Sequence, residues 1–235
     1  MVNNKVVIMA GGKGTRLYPY TQIVPKPLIP IGDKSIIEHI FERFHEFGCK
    51  EFILTLNYKK SMIKSYLDDL EGEYNFTYIE EADYYGTAGS LSLLKGQIDK
   101  TFFVTNCDIL VEADYQKIIE THTSSGNKIT MVTSFQNFTI PYGVINLSDA
   151  GNVADIVEKP KYEVQINTGV YVLEPEVLND IPAGKLFHIT DLINIYLERG
   201  EQIGVFSVGS EEWLDMGEIS LLHEMKHKIE SVDKE

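Results

Sequence analysis

Short apolar runs alternate with segments of helical period from residue 5 to residue 108, and a chain patterned in this way has few folds open to it. The run "KVVIMA" (residues 5–10) is apolar on both faces, as a strand inside a parallel sheet must be. After an intervening loop, "SIIEHIFERFHEFG" sets Ile36, Ile37, Ile40, Phe41, Phe44 and Phe47 on one helical face. Ser35 with Glu38 forms a capping-box signature and Gly48 a helix stop. "EFILTL", "SMIKSYLDDL", "NFTYIE", "GTAGSLSLLKG" and "TFFVTNCD" then read as strand, helix, strand, short helix and strand. Such alternation predicts right-handed β-α-β units, hence an α/β, Rossmann-like, mostly parallel mixed sheet flanked by helices.

The second half is less regular. "NKITMVTSF", "GVINL", "VADIVEKP" and "TGVYVLE" read as strands between short turns, with "SDAGN" as a hairpin loop, so a small antiparallel insertion is expected there. "FHITDLINIYLERG" reads as an amphipathic helix stopped by Gly200, "QIGVFSV" as a last strand, and residues 218–230 as a final helix. With no repeat, linker or low-complexity stretch, residues 1–235 read as a single domain. A first strand within five residues of Met1 also suits a domain excised from a longer chain.

Several classes of function are disfavoured. No apolar run approaches the roughly 20 residues that cross a bilayer, and the start lacks the form of a secretory signal. Cys49 and Cys107 make neither a disulfide framework nor a zinc spacing, which fits a cytoplasmic setting. A formal net charge of -14 argues against binding nucleic acid or an anionic membrane. Yet residues 1–34 hold Lys5, Lys13, Arg16, Lys26 and Lys34 against Asp33 alone. A cationic segment on an acidic protein suits a small anion better than a polyanion.

That segment contains "MAGGKGTRLYPYTQIVPKPLIP" (residues 9–30), directly after the first strand, where open α/β sheets bind ligands. It is not a P-loop: relative to Gly12-Lys13, Val7 replaces the first glycine and Gly14 the hydroxyl residue. Nor is it a dinucleotide fingerprint, since Leu17 replaces the third glycine. Its glycines still let backbone N–H groups approach phosphate oxygens, and Arg16 offers a bidentate grip. Pro25 and Pro27 predict a stiff, extended stretch that aims Lys26. Asp108, Glu158-Lys159 and Asp215 also fall at or just beyond strand ends, so useful side chains collect on one edge of the sheet.

Gly-Gly-Lys-Gly-Thr-Arg-Leu, then Pro-Lys-Pro-Leu and "DKSIIEHI", resembles the signature of sugar-1-phosphate nucleotidylyltransferases, the nucleotide-sugar pyrophosphorylases. "YYGTAGSL", "TNCD", "PYGV", "EKP", "NTGVYV" and "WLDMG" resemble further segments of that family, in the same order along nearly the whole chain. The resemblance implies a fold of the nucleotide-diphospho-sugar transferase type. It also implies a reaction in which a nucleoside triphosphate and a sugar 1-phosphate give a nucleotide sugar and pyrophosphate. On these motifs Ala10, Gly11, Gly12, Gly14, Thr15, Glu81, Gly86 and Thr87 would bind the nucleotide. Tyr142, Gly143, Glu158, Asn167, Thr168 and Trp213 would bind the sugar phosphate. Arg16 and Lys26 would neutralise the phosphate chain and Lys159 the sugar phosphate, while Asp108 and Asp215 would hold Mg²⁺ through hard oxygen ligands. No protein nucleophile is needed, because a phosphate dianion is already ionised.

Where thymidylyl and uridylyl members carry glutamine, this chain has Glu81. A carboxylate only accepts hydrogen bonds, so it suits the N1–H and N2–H₂ donors of guanine and opposes the O4 acceptor of uracil or thymine. The alternative, Glu81 in solvent with backbone groups reading the base, stays open. Cys107 stands where the family often has glycine. His223-Glu224-Met225-Lys226-His227 spells the zinc-protease motif, but only a short polar tail follows it, and a solvated helix face is expected instead. His39, His45 and His122 read as packing or surface residues, and His188 as a helix cap. Two other functions remain: a cytidylyltransferase acting on phosphocholine, with Tyr142, Tyr171 and Trp213 as aromatic walls, and a catalytically silent nucleotide-sugar sensor. Neither the sugar nor homo-oligomerisation is fixed by the sequence.

Overall fold

The computed structural model describes residues 2–217. In chain order the strands are β1 (Val6–Ala10), β2 (Pro30–Ile31), β3 (Lys34–Ser35), β4 (Glu51–Leu56), β5 (Asn75–Glu80), β6 (Phe102–Asn106) and β7 (Ile109–Val111). They continue as β8 (Ile129–Thr139), β9 (Gly143–Leu147), β10 (Val153–Glu158), β11 (Lys161–Leu173), β12 (Gly204–Val208) and β13 (Trp213–Asp215). The α-helices are α1 (Tyr20–Ile23), α2 (Ile36–Glu46), α3 (Lys60–Asp68), α4 (Tyr115–Ser124) and α5 (Ile189–Glu198). The expected final helix over 218–230 lies outside the described residues, as does the segment holding His223 and His227.

Seven strands form the main sheet in the order β12-β8-β11-β6-β1-β4-β5. β1 runs parallel to β4 and β6, β4 to β5, and β12 to β8, whereas β11 is antiparallel to both its neighbours. The sheet is therefore mixed and mostly parallel, with smaller two-stranded pairs beside it, as the strand pattern predicts.

The reason β1 is apolar on both faces is visible in its alternation. Val6, Ile8 and Ala10 join the core under α2, α3 and α4, while Val7 faces the opposite core with α5. Helices thus cover both faces, and the hydrophobic stripe of α2 meets the sheet through aromatic rings. Phe41, fully buried, lies 4.8 Å from Phe52 and 4.9 Å from Phe76 between ring centroids. At the N-terminus of α2, the Ser35 N–H donates to Glu38 Oε2 at 2.6 Å, the reciprocal half of a capping box. α5 begins in the same way, with the His188 N–H donating to Asp191 Oδ2 at 2.8 Å.

The short helix expected in "GTAGSLSLLKG" forms as a 3₁₀ helix over Gly89–Leu94. His122 on α4 is fully buried, its ring nitrogens 2.8 Å from Thr130 Oγ1 and 3.1 Å from Glu174 Oε1, and burial lowers its pKa. It is a packing residue. Among the described residues no helix is long and apolar enough to cross a membrane.

Beyond the sheet, β8 and β11 keep pairing with each other and lead into the β9–β10 hairpin, forming a two-stranded arm. The arm is the antiparallel insertion expected from the sequence.

Candidate active site

Two cavities adjoin beyond the carboxyl ends of β1, β4 and β6. One, of about 510 Å³, lies against the glycine-rich loop, Lys26, Asn57, Tyr84 and Gly86. The other, of about 260 Å³, is walled by Asn167, Thr168, Gly169, Thr190, Trp213 and Asp215. Arg16, Thr87, Asn106 and Asp108 line both, so the two share one wall.

The loop is shaped by packing at its ends and left open in its middle. Leu17 is fully buried and anchors a short 3₁₀ turn over Thr15–Leu17. Gly14 adopts φ +63°, and a Cβ there would stand 2.9 Å from Thr21 Cγ2 and 3.1 Å from Lys26 Cβ, so a side chain is excluded twice over. Gly12 has no atom within 4 Å of its own Cβ position, which leaves its backbone free to meet a ligand. Ala10 is buried at the end of β1 just before this loop.

Lys26 departs from the extended stretch predicted for it: it opens a 3₁₀ turn over Lys26–Leu28. Pro25 holds the extended backbone before the turn, and Pro27 fits its second position, where no N–H is required. The turn buries Lys26, whose ammonium forms an ion pair with Asp108 Oδ2. Asp108 follows β6. Its neighbour Asp215 is brought in by the antiparallel pairing of β7 with β13, which sets Asp215 opposite Ile109. Burial and then the charge of Asp108 push the Asp215 carboxyl above its ordinary pKa, although its Oδ1 accepts the Gly217 N–H at 2.6 Å. Cys107 lines the larger cavity, but burial and Asp108 push its thiol up to about 12, which makes it inert.

Asp108 and Asp215 fit a magnesium ion on this donor set. Two hard carboxylates share a cavity; Lys26 pairs with Asp108, while burial and the charge of Asp108 still oppose ionisation of Asp215, which a divalent cation would favour. Magnesium takes one or two such ligands and fills its remaining positions with water and substrate oxygens. Among the described residues no group of three His, Cys, Asp or Glu side chains gathers into a closed metal cage.

Glu81 follows β5 and is 4% exposed, so it does not point into solvent. Its carboxylate lies directly behind the glycine-rich loop: a Cβ on Gly11 would come within 2.7 Å of Oε1. It lines neither cavity, and burial raises the pKa of the group against opposing hydrogen bonds from Thr55, the Tyr85 backbone and Ser90.

A clasp joins the two cavities. The Ala88 and Gly89 N–H groups both donate to the Phe187 carbonyl at 3.0 Å, and the Phe187 N–H donates to Tyr85 O at 3.0 Å. Thr87 Oγ1 accepts from the Ile189 N–H at 3.1 Å, at the first residue of α5. Gly86 sits inside the clasp at φ +80°, with its Cβ position 2.7 Å from the Phe187 carbonyl oxygen.

At the smaller cavity, Asn167 to Gly169 form a bulge where the pairing of β11 with β8 shifts register. Thr168 Oγ1 donates to Val132 O at 2.7 Å, and Trp213 Nε1 donates to Thr168 O at 3.3 Å. Tyr142, Gly143, Glu158 and Lys159 stand apart, on the arm, and line neither cavity. Tyr142 is 73% exposed, and Lys159 has φ +46° where the chain passes from β10 to β11.

Asn57, Asn106, Gly169 and Thr190 line the site without having been singled out from the sequence. Asn57 and Asn106 each fall at a strand end, the same signal that marks Asp108. Gly169 lies within the "NTGVYV" segment and is fixed by crowding, its Cβ position being 2.6 Å from Asn106 Nδ2.

Residues 5–232 match the family model described as nucleotidyl transferase. The chain is 37% identical over 186 residues to a probable mannose-1-phosphate guanylyltransferase 1 of Oryza sativa subsp. japonica, covering 75% of this chain and 52% of that protein. It is 32% identical over 236 residues to a UTP–glucose-1-phosphate uridylyltransferase of Synechocystis sp., covering 92% of this chain and 60% of that one. This chain thus spans about half the length of the curated relatives it matches. In structure it resembles HddC from Yersinia pseudotuberculosis, with a TM-score of 0.75, 27% identity and coverage of 96% of this chain and 99% of that one. HddC complexed with GMP-PN matches at a TM-score of 0.72 and 26% identity, with the same coverage.

Proposed function

Because this chain belongs to the nucleotidyl transferase family, we propose that it transfers a nucleoside monophosphate from a nucleoside triphosphate to a sugar 1-phosphate. A nonbridging oxygen of the sugar phosphate attacks the α-phosphorus, the bond to the pyrophosphate oxygen breaks, and a nucleotide sugar and pyrophosphate result. The observation that carries the reading is the pair of cavities sharing Arg16, Thr87, Asn106 and Asp108 as a common wall. One has the backbone-rich lining a triphosphate needs, and the other has the indole and amide lining suited to a sugar.

Catalysis on this reading is positioning and charge neutralisation. Lys26 grips the phosphate chain once it exchanges Asp108 for the nucleotide, and Arg16 meets the charge that grows on the leaving pyrophosphate. Lys159 and Glu158 serve the sugar phosphate and a sugar hydroxyl from the arm, which requires the arm to approach the cavities when substrate binds. Asp108 and Asp215 would hold magnesium, which would supply charge neutralisation at the phosphates.

Guanine is the proposed base. Glu81, buried directly behind Gly11, is a carboxylate that only accepts, which suits adjacent N–H donors. Guanylyltransferases among the relatives, and the GMP-PN complex of HddC, support the same choice. Glu81→Gln is expected to reduce the preference for GTP over UTP and dTTP, read as the ratio of kcat/KM values; an unchanged ratio would remove Glu81 as base reader. The same variant tests the buried charge. A carboxyl whose folded pKa is raised stabilises the fold least once ionised, so stability is lost as pH climbs from the unfolded value through the raised one. Glu81→Gln is therefore expected to melt higher than the parent at about pH 8 and to converge with it near pH 4.

Gly86→Ala is expected to raise KM for the nucleotide by about tenfold, since φ +80° and the 2.7 Å approach to Phe187 O both oppose a side chain. Titration of nucleotide with the variant checks it, and unchanged affinity would detach the clasp from nucleotide binding.

The reaction itself is tested by pyrophosphate release with Mg²⁺, using GTP, UTP, dTTP and CTP each against a panel of sugar 1-phosphates and phosphocholine. Release that depends on one nucleotide–sugar pair supports the reading. Release with CTP and phosphocholine alone would replace the acceptor, and silence from protein that still binds nucleotide would favour a sensor.

A further inference from the structure

Packing does not account for helix α1. It has four residues, of which only Thr21 is buried, while Tyr20 and Ile23 are more than half exposed. One turn of helix is not stable alone in water, and its last carbonyls need donors from elsewhere. Two donors come from the segment after β4. The Tyr58 hydroxyl donates to the Thr21 carbonyl at 2.9 Å, and the Lys59 ammonium to the Ile23 carbonyl at 3.0 Å. Lys59 adopts φ +51°, unfavourable for a residue with a side chain, and such positions persist where their surroundings fix them.

What α1 holds in turn is the glycine-rich loop. The Thr21 side chain is fully buried, and its hydroxyl donates to the Gly14 carbonyl at 2.9 Å. The same carbonyl accepts the Leu17 N–H at 3.0 Å. Tyr58 reaches the start of the loop as well, its N–H donating to the Gly11 carbonyl at 3.5 Å. With two donors on its oxygen, the Gly14–Thr15 peptide is held against rotation. That peptide is trans, and a planar trans peptide points its N–H opposite to its carbonyl. The carbonyl turns towards Thr21, which lines neither cavity. The Thr15 N–H therefore turns away from Thr21, and Gly14 and Thr15 both line the larger cavity.

We infer that Thr21 and Tyr58 are positioning residues for the triphosphate. Tyr58 fixes Thr21, and Thr21 fixes the Gly14–Thr15 peptide so that the Thr15 N–H meets a phosphate oxygen. An N–H already aimed needs no ordering when the anion arrives, whereas a peptide beside a free glycine would have to be ordered at that moment. The inference rests on the proposed reaction for the identity of the anion, although neither side chain touches substrate.

The test reads binding, not turnover. Calorimetric titration of the full chain in Mg²⁺ with GTP, UTP, dTTP and CTP first identifies the triphosphate bound tightest. Thr21→Val keeps the shape and removes the hydroxyl, and is expected to weaken that binding about tenfold. Thr21→Ser keeps the hydroxyl and is expected to stay within about threefold of the parent. Tyr58→Phe is expected to weaken binding about threefold, and to add nothing to Thr21→Val, because Tyr58 acts through Thr21. Hydrogen exchange at the Thr15 amide is expected to slow when triphosphate is added to the parent, and to slow less in Thr21→Val. Tyr58 is only half-buried, so Tyr58→Phe with exchange at Thr15 decides the matter should Thr21→Val fail to fold. Parental binding by Thr21→Val overturns the inference, as does an equal loss in Thr21→Ser, an additive double variant or exchange at Thr15 that ignores triphosphate. A parent that binds none of the four overturns the proposed reaction and the inference with it, so the two failures are distinct.

Discussion

Asp108→Asn is expected to lower kcat/KM for pyrophosphate release by about a thousandfold, or ~4 kcal/mol of transition-state stabilisation. Asparagine keeps the shape and can still accept a hydrogen bond from Lys26, so the loss falls on charge. Two roles end together: the hard anionic ligand facing Asp215, and the counter-ion that aims the buried ammonium. Stability is expected to suffer as well, since removing one partner strands the other charge out of water, at about 2–3 kcal/mol with the amide in place. The double variant Asp108→Asn with Lys26→Met separates the effects. It is expected to recover much of the lost Tm and none of the lost turnover. Near-parental turnover in the single variant would remove Asp108 from the metal assignment.

Phe41→Ala is expected to cost about 3–5 kcal/mol of folding free energy. The ring is fully buried where α2 crosses the sheet, with Phe52 and Phe76 edge-on or tilted against it within 5 Å of centroid separation. Those neighbours stand on two adjacent strands, β4 and β5, so closing the cavity would require both strands to move. Chemical denaturation should show the loss as a lower midpoint at unchanged slope. Any turnover measured well below the new midpoint should remain near the parental value, because Phe41 touches neither cavity. A loss under 1 kcal/mol would mean that the aromatic cluster repacks freely.

The parts of the site readable from sequence are those that depend on local pattern. The run from Val6 to Ala10, the glycines beyond it and the capped helix at Ser35 follow from periodicity and turn chemistry. Asp108 is readable because strand ends are where α/β sheets bind ligands. Asp215 reached the candidate set through a motif, but its position opposite Ile109 depends on a pairing of two three-residue strands, too short to leave a periodic signal. The burial of Glu81 follows from how β5 sits beside β4, and the turn at Lys26 from the need to reach Asp108 across the loop; both are tertiary facts. The arm shows the opposite limit. "GVINL" and "VADIVE" read correctly as strands, while nothing in their sequence says that they leave the sheet and stand apart from the cavities.

On the proposed reaction, the ion pair of Lys26 with Asp108 would also govern which solutes the site admits. Both charges are nearly out of water and already balanced. A lone anion that takes the ammonium leaves a bare carboxylate behind, and a lone cation that takes the carboxylate leaves a bare ammonium. Either trade surrenders about as much attraction as it wins. A solute bearing anionic and cationic charge on one body exchanges both partners at once and strands neither. On the proposed reaction the pair would thus sort solutes by composition, disfavouring inorganic phosphate or a bare divalent ion and admitting a metal-chelated polyphosphate.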